Sequence, residues 1–128
     1  MAETSNGEVV VNAGAIRFEV EYRRFGGDRG AAIRVHGDVN GADVQLLRFD
    51  CFEKDPHYHY DPDGKNQVLH LDPESDTETW SADHIERNLK IMVRLAGYPD
   101  VADKIDMDKV RAASPHLRKA LSTARTRG

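Results

Sequence analysis

The chain has 128 residues, of which 31% are charged, with a net charge of −4 and one cysteine. That length suits a single domain that buries roughly two thirds of its extended surface, and one cysteine excludes an internal disulfide. The N-terminal stretch MAETSNGEVV has neither the basic start nor the apolar run of a signal peptide, and no apolar run nears the ~20 residues that span a bilayer. A cytoplasmic protein without a membrane partner is expected.

Charge is unevenly spread. Residues 109–128 hold six Lys or Arg and no acid, leaving twelve bases against twenty-two acids in residues 1–108, so a tail of +6 follows a body of −10. Such a tail reads either as a basic arm for nucleic acid or an acidic partner, or as a solvated helix attracted to its own acidic body. The aromatic interleaving that favours single-strand binding is absent from it.

Residues 1–14 read as a loose N-terminus, with Glu8–Asn12 able to add a short strand. From Ile16 to Arg23 every even position is apolar or aromatic and every odd one charged, the pattern of a strand with one face on a core. Gly26–Gly30 breaks the run as a hairpin connection, and Ala32–Gly37 forms the next strand with Ile33 and Val35 inward. Asp38-Val39-Asn40-Gly41 is a turn, since Asn-Gly accepts positive φ. A third strand over Asp43–Glu53 changes parity at Leu46–Leu47, which a bulge or burial on both faces would explain.

Two short strands follow, Pro56–Tyr60 and Gln67–Leu71, around the turn Asp61–Asn66. A six-residue loop sets His57 opposite His70. His57, His59, Val68 and His70 then share one face, and Tyr58, Tyr60, Leu69 and Leu71 the other. A four-residue DPDG loop keeps this grouping; a five-residue loop destroys it.

Beyond the acidic stretch 73–79 the period becomes helical. Ser81 or Asp83 can cap a helix whose Ile85, Leu89, Met92, Val93 and Ala96 lie on one face, ending at Gly97. A short helix over Asp100–Ile105 comes next, and Ser114-Pro115 reads as the start of a last one. Its stripe of Leu117, Ala120, Leu121 and Ala124 is thin, so it must dock on this domain or on a partner. Leu117, Arg118, Leu121 and Arg125 are the candidate partner-binding residues, for another protein or a second copy. The expected fold is α+β: an antiparallel meander of four or five strands, one amphipathic helix across one face and a short helical C-terminus. Residues 15–97 form the domain and 98–128 a basic helical extension.

The chemistry concentrates in residues 48–72. Three imidazoles on one strand face can hold a divalent ion such as zinc, leaving a position open. His57, His59 and His70 are the candidate ligands, with Asp50, Cys51 and Asp61 available as a fourth ligand or to orient a ring. The alternative is a solvated strand bearing histidines that bind nothing. Cys51 with a histidine base could be a nucleophile, although an apolar strand more often buries an inert thiol. Tyr58 and Tyr60 read as core aromatics. A cupin would carry a Glu shortly after His-x-His and a Gly six residues before it, and neither is here. No phosphate loop, nucleophile elbow or Cys-x-x-Cys occurs, so no catalytic residue is assigned.

At Arg48-Phe49-Asp50 and Pro56-His57-Tyr58-His59 the chain resembles small bacterial proteins of the TumE type, the toxin components of toxin–antitoxin pairs. The likeness follows the order of elements over about residues 15–96. It departs where that family usually has Asn and this chain has Cys51, and in the basic extension. The resemblance implies either a ribonuclease-like toxin or an uncharacterised bacterial family with the same scaffold and another role, and it carries no catalytic residue over; in a toxin, His57, His59 and His70 would work as acid and base or hold RNA phosphate. The residues alone support a small accessory or binding module that uses the histidine face.

Overall fold

The computed structural model describes residues 8–127. Six strands form one antiparallel sheet in sequence order: β1 Val9–Ala13, β2 Ile16–Phe25, β3 Asp28–Val39, β4 Ala42–Phe52, β5 His57–Tyr60 and β6 Gln67–His70. Three helices follow, α1 Thr77–Leu95, α2 Pro99–Lys104 and α3 Met107–Arg127. The expected α+β meander with α1 against it is what forms, with six strands rather than four or five. The expectation for residues 1–7 lies outside the described residues. The short strand allowed over Glu8–Asn12 forms as Val9–Ala13, paired along its whole length with β2, so residues 9–13 are not part of a loose N-terminus.

Neighbouring strands are joined by short connections, two residues for the first three and four and six for the last two, which is why the order is a simple meander. Gly26-Gly27 and Asn40-Gly41 close two of them with φ of +58°, +83°, +52° and +86°, the left-handed pairs that match strand twist. The parity change in β4 is a bulge: Val35 pairs with Leu47 and His36 with Gln45, so Leu46 is the extra residue. Leu46 and Leu47 are both fully buried.

The core lies between the sheet and the helices. Alternation sends Ile16, Phe18, Val20, Ile33, Val35, Leu47 and Phe49 to one face, where they meet Ile85, Leu89 and Val93 of α1. Asp76 caps α1 by accepting from the Thr79 N–H, so the helix starts earlier than Ser81 or Asp83. Ser81 is buried instead, against Cys51. Gly97, at φ +103°, ends the helix as expected.

The C-terminus departs further from expectation. Helix α3 begins at Met107 and runs through Pro115, where a helix start was read. An interior proline costs about 3 kcal/mol, but Val110, Ala113, Leu117, Ala120, Leu121 and Ala124 are all buried along one face. At roughly 1.5–3 kcal/mol for each large apolar side chain, that burial outweighs the proline. Helix α3 packs on β1, β2 and β3, and α1 on β4 and β5. No core boundary falls at residue 97, because Val101, Ile105 and Leu117 belong to the same cluster as the sheet.

Candidate functional site

Among the described residues, no helix covers the opposite face of the sheet, which is built mostly of polar residues, with Phe52 edge-on to His57. Here β4 lies beside β5 with Asp50 opposite His57 and Arg48 opposite His59, and β5 lies beside β6 with His57 opposite His70. The register is that of the six-residue loop, and the histidines take the face assigned to them.

Asp50 is the centre. It is only 1% exposed, and its carboxylate accepts from Arg23 Nη1 at 2.8 Å and Arg48 Nε at 3.1 Å. His57 Nε2 stands 3.1 Å and His59 Nε2 3.2 Å from Asp50 Oδ2. Arg23 comes from β2 and must cross β3 to reach it. The positions of β3 beneath it are Gly30 and Ala32, opposite Arg23 and Asp50 respectively, so no side chain bars the way.

The far nitrogens of both rings are also held. His57 Nδ1–H donates to the Asp55 carbonyl at 2.8 Å, and His59 Nδ1–H to Asn66 Oδ1 at 2.7 Å. Each support is itself fixed. Asp28 accepts from the backbone N–H groups of Lys54 and Asp55, which sets the β4–β5 connection. Asp61 accepts from the Lys65 N–H through its carboxylate and from the Asn66 N–H through its carbonyl, which shapes the β5–β6 turn. Nε2 of both rings therefore points at Asp50.

Burial works against ionisation of Asp50, but hydrogen bonds from His57 and His59 and the charges of Arg48 and Arg23 outweigh it. Its carboxyl is held far below the usual range. The hydrogen bond to Asp50 in turn raises the His57 pKa above its ordinary value, against the opposing effect of burial. Acceptors on both nitrogens favour the imidazolium form of His57.

Asp50, His57 and His59 bring three ligand atoms within 4.8 Å of one another, and so do Asp55, His57 and His70. Asp50 is thus part of the cluster itself, while His70 groups with Asp55, at 2.9 Å from its carboxylate, on the exposed margin. Cys51 points the other way, into the core beneath α1 near the Thr77 carbonyl and Ser81 Oγ. Burial pushes its thiol up to about 12. Asp61 neither ligates nor orients a histidine directly; besides shaping the turn it accepts from the Tyr98 hydroxyl at 2.6 Å.

The candidate partner-binding residues are also occupied within the chain. Leu117 and Leu121 are buried in the core. Arg118 pairs with Asp83 and Glu86, and Arg125 with Glu78. The stripe was thin because the same helix docks intramolecularly, on a sheet wide enough for two.

The architecture and cluster belong to a chain whose residues 10–121, from β1 into α3, match a family model described as a domain of unknown function, DUF7700. The chain belongs to the DUF7700 family. No curated protein and no solved structure matches it. The matched span takes in β4, the histidine hairpin, α1 and most of α3, so the cluster lies inside the DUF7700 domain.

Sequence reasoning missed Arg23, Arg48, Asp55 and Asn66 as parts of this site. Alternation held a signal for two of these placements: with Leu47, Phe49 and Cys51 inward, Arg48 must face outward, and the alternation of Ile16–Arg23 turns Arg23 to the same outer face. Asp55 and Asn66 act through connections, where no periodicity marks them.

Proposed function

We propose that this DUF7700 domain is a small binding module that holds a divalent cation, such as zinc, on the polar face of its sheet, through Asp50, His57 and His59. The supporting observation is the convergence of two imidazole Nε2 atoms on one carboxylate oxygen, at 3.1 and 3.2 Å. Ligand bonds of about 2.0–2.2 Å at tetrahedral to octahedral angles give ligand–ligand edges of roughly 2.9–3.5 Å, which the two nitrogen–carboxylate edges match, with all three ligand atoms within 4.8 Å of one another. Each ring also has its Nδ1–H on a fixed acceptor, the outer support that a ligating histidine uses to present its other nitrogen.

Arg48 stands where such an ion would compete with it, with Nη2 3.0 Å from His59 Nε2. An entering cation displaces that guanidinium from the ring and the proton from His57. Titration calorimetry of the untagged protein with zinc, nickel and manganese tests the reading. One equivalent should bind, Arg48→Met should bind more tightly, and His57→Ala should lose binding. Saturating metal with no heat and no retained ion in any of these proteins would sink it.

A ribonuclease-like toxin is the second reading, favoured by two histidines and two arginines clustered on an open face. Expression of the chain alone should then slow growth, and a His57→Ala, His59→Ala double variant should not. The metal reading is preferred because Nε2 of both rings converges on one buried carboxylate oxygen, the arrangement of a ligand set, and neither ring turns that nitrogen to the open side where an RNA phosphate would lie.

A further inference from the structure

The sheet ends on β1, and that edge is open. Gly14, at φ +71°, and Ala15 form the turn between β1 and β2, so Ala13 and Ile16 are the bonded pair that closes the hairpin. Backbone bonds of an antiparallel ladder alternate along each strand. Val9, Val11 and Ala13 therefore bond to β2, while the N–H and C=O groups of Val10 and Asn12 point outward, without a hydrogen bond among the described residues. Edge strands are usually blunted by Lys, Pro or a bulge. This one reads Val-Val-Val-Asn-Ala in regular register and carries none of them.

Helix α3 gives the open edge a floor. It packs on β1, and between them runs a cleft of about 580 Å³, lined by residues 9–12 of the strand and by His116, Lys119, Ala120 and Thr123 of the helix. Lys119 is exposed, and so is Lys109, which lies at the turn end of the strand: a Cβ on Gly14 would come within 2.9 Å of its Cδ. Among the described residues neither lysine has a salt bridge. At 1.5 Å of rise per residue they stand about 15 Å apart along α3, close to the length of β1 itself. A second copy joined at this edge by a two-fold axis would bring its own α3 alongside, with the same lysines facing each other. The charge calls for acids instead.

We propose that the cleft takes an extended acidic segment of a partner protein, added to the six-stranded sheet as a further strand beside β1. Its backbone bonds to Val10 and Asn12. Its inward side rests on Val9, Val11 and Ala120, and its Asp or Glu side chains meet Lys109 and Lys119, with His116 between them in the sequence of the helix. In strand addition of this kind the main-chain bonds supply affinity and the side chains supply selection.

Amide NMR of the full chain reads this out with two probes, a hexapeptide alternating Glu and Val and its counterpart alternating Lys and Val. In the free protein the Val10 and Asn12 amides should exchange with deuterium faster than that of Val11, which bonds to β2. The Glu peptide at millimolar concentration should shift and protect both amides, and the Lys peptide should bind about tenfold more weakly, because it sets like charges together. Lys109→Glu with Lys119→Glu should reverse that preference; both positions are exposed, so an unchanged thermal melt will show the fold intact. Val10→Pro removes an outward donor and leaves the β1–β2 ladder its bonds, and it too should weaken the Glu peptide. Slow exchange of Val10 and Asn12 in the free chain, equal binding of the two peptides, or no shift with either overturns the proposal. So does a concentration-dependent shift of these amides without peptide, which assigns the edge to a second copy.

Discussion

The two faces of the sheet are made from alternate residues of the same strands, yet they are held together by opposite physics. The inner face joins Phe18, Val20, Ile33, Val35 and Phe49 to two helices, and its stabilisation scales with apolar area removed from water. The outer face has almost no apolar side chains at its centre. It buries Asp50 beneath two guanidiniums and two imidazoles. Apolar packing loses stability by degrees as atoms are removed, whereas a buried charge network fails when one member leaves the rest uncompensated.

The largest effect belongs to the inner face. Leu89→Asp puts a carboxylate where no solvent reaches, since Leu89 is fully buried between α1 and the sheet. The domain should lose its cooperative thermal transition; a melt near the wild-type temperature would refute the packing described above. Next comes Asp50→Ala, which leaves Arg23 and Arg48 facing each other and two histidines without a counter-charge. Breaking a buried ion pair costs about 3–5 kcal/mol, to be read from urea unfolding at neutral pH.

Titration separates the faces without mutating the core. Asp50 has a lowered pKa in the folded chain, so its stabilisation is present above the unfolded carboxyl value of about 3.9. It is lost as pH falls through the folded value. His57 is raised, so its contribution is complete below the unfolded value of about 6.5. That contribution disappears as pH climbs through the folded one. The stability gap between wild type and His57→Ala, measured by urea unfolding in a pH series, should therefore shrink from mildly acidic to alkaline solution. A gap that widened would reverse the assigned role of Asp50.

The smallest effect sharpens the comparison at its margin. Asn66→Gly removes the acceptor behind His59 Nδ1 while tolerating the φ of +51° at this position, outside the core and outside the ligand set. Stability should change little, while zinc binding at Asp50, His57 and His59 should weaken 10–100-fold, the usual consequence of losing an outer support. Calorimetry on the variant beside the wild type checks it.

Much of this was legible in the residues. The alternation of Ile16–Arg23 assigns the inner and outer faces of β2 before any strand is paired. The spacing of Ile85, Leu89, Met92 and Val93 does the same for α1, and the parity change at Leu46–Leu47 announces the bulge. The histidine hairpin was legible as soon as its loop length was assumed. These are short-range properties, set by the period of a backbone and the chemistry of a turn.

Other features were decided only by the tertiary structure. Pro115 reads locally as a helix start, and it becomes helix interior because burial along α3 outweighs one lost hydrogen bond. Leu117 and Leu121 were open to a partner until a six-stranded sheet offered them a place. Asp50 became the hub because Arg23, twenty-seven residues away, can lie across the small side chains of β3. Local sequence determines which way each side chain of a strand points; which charges meet depends on strand pairing, and that is settled by the burial of the whole core.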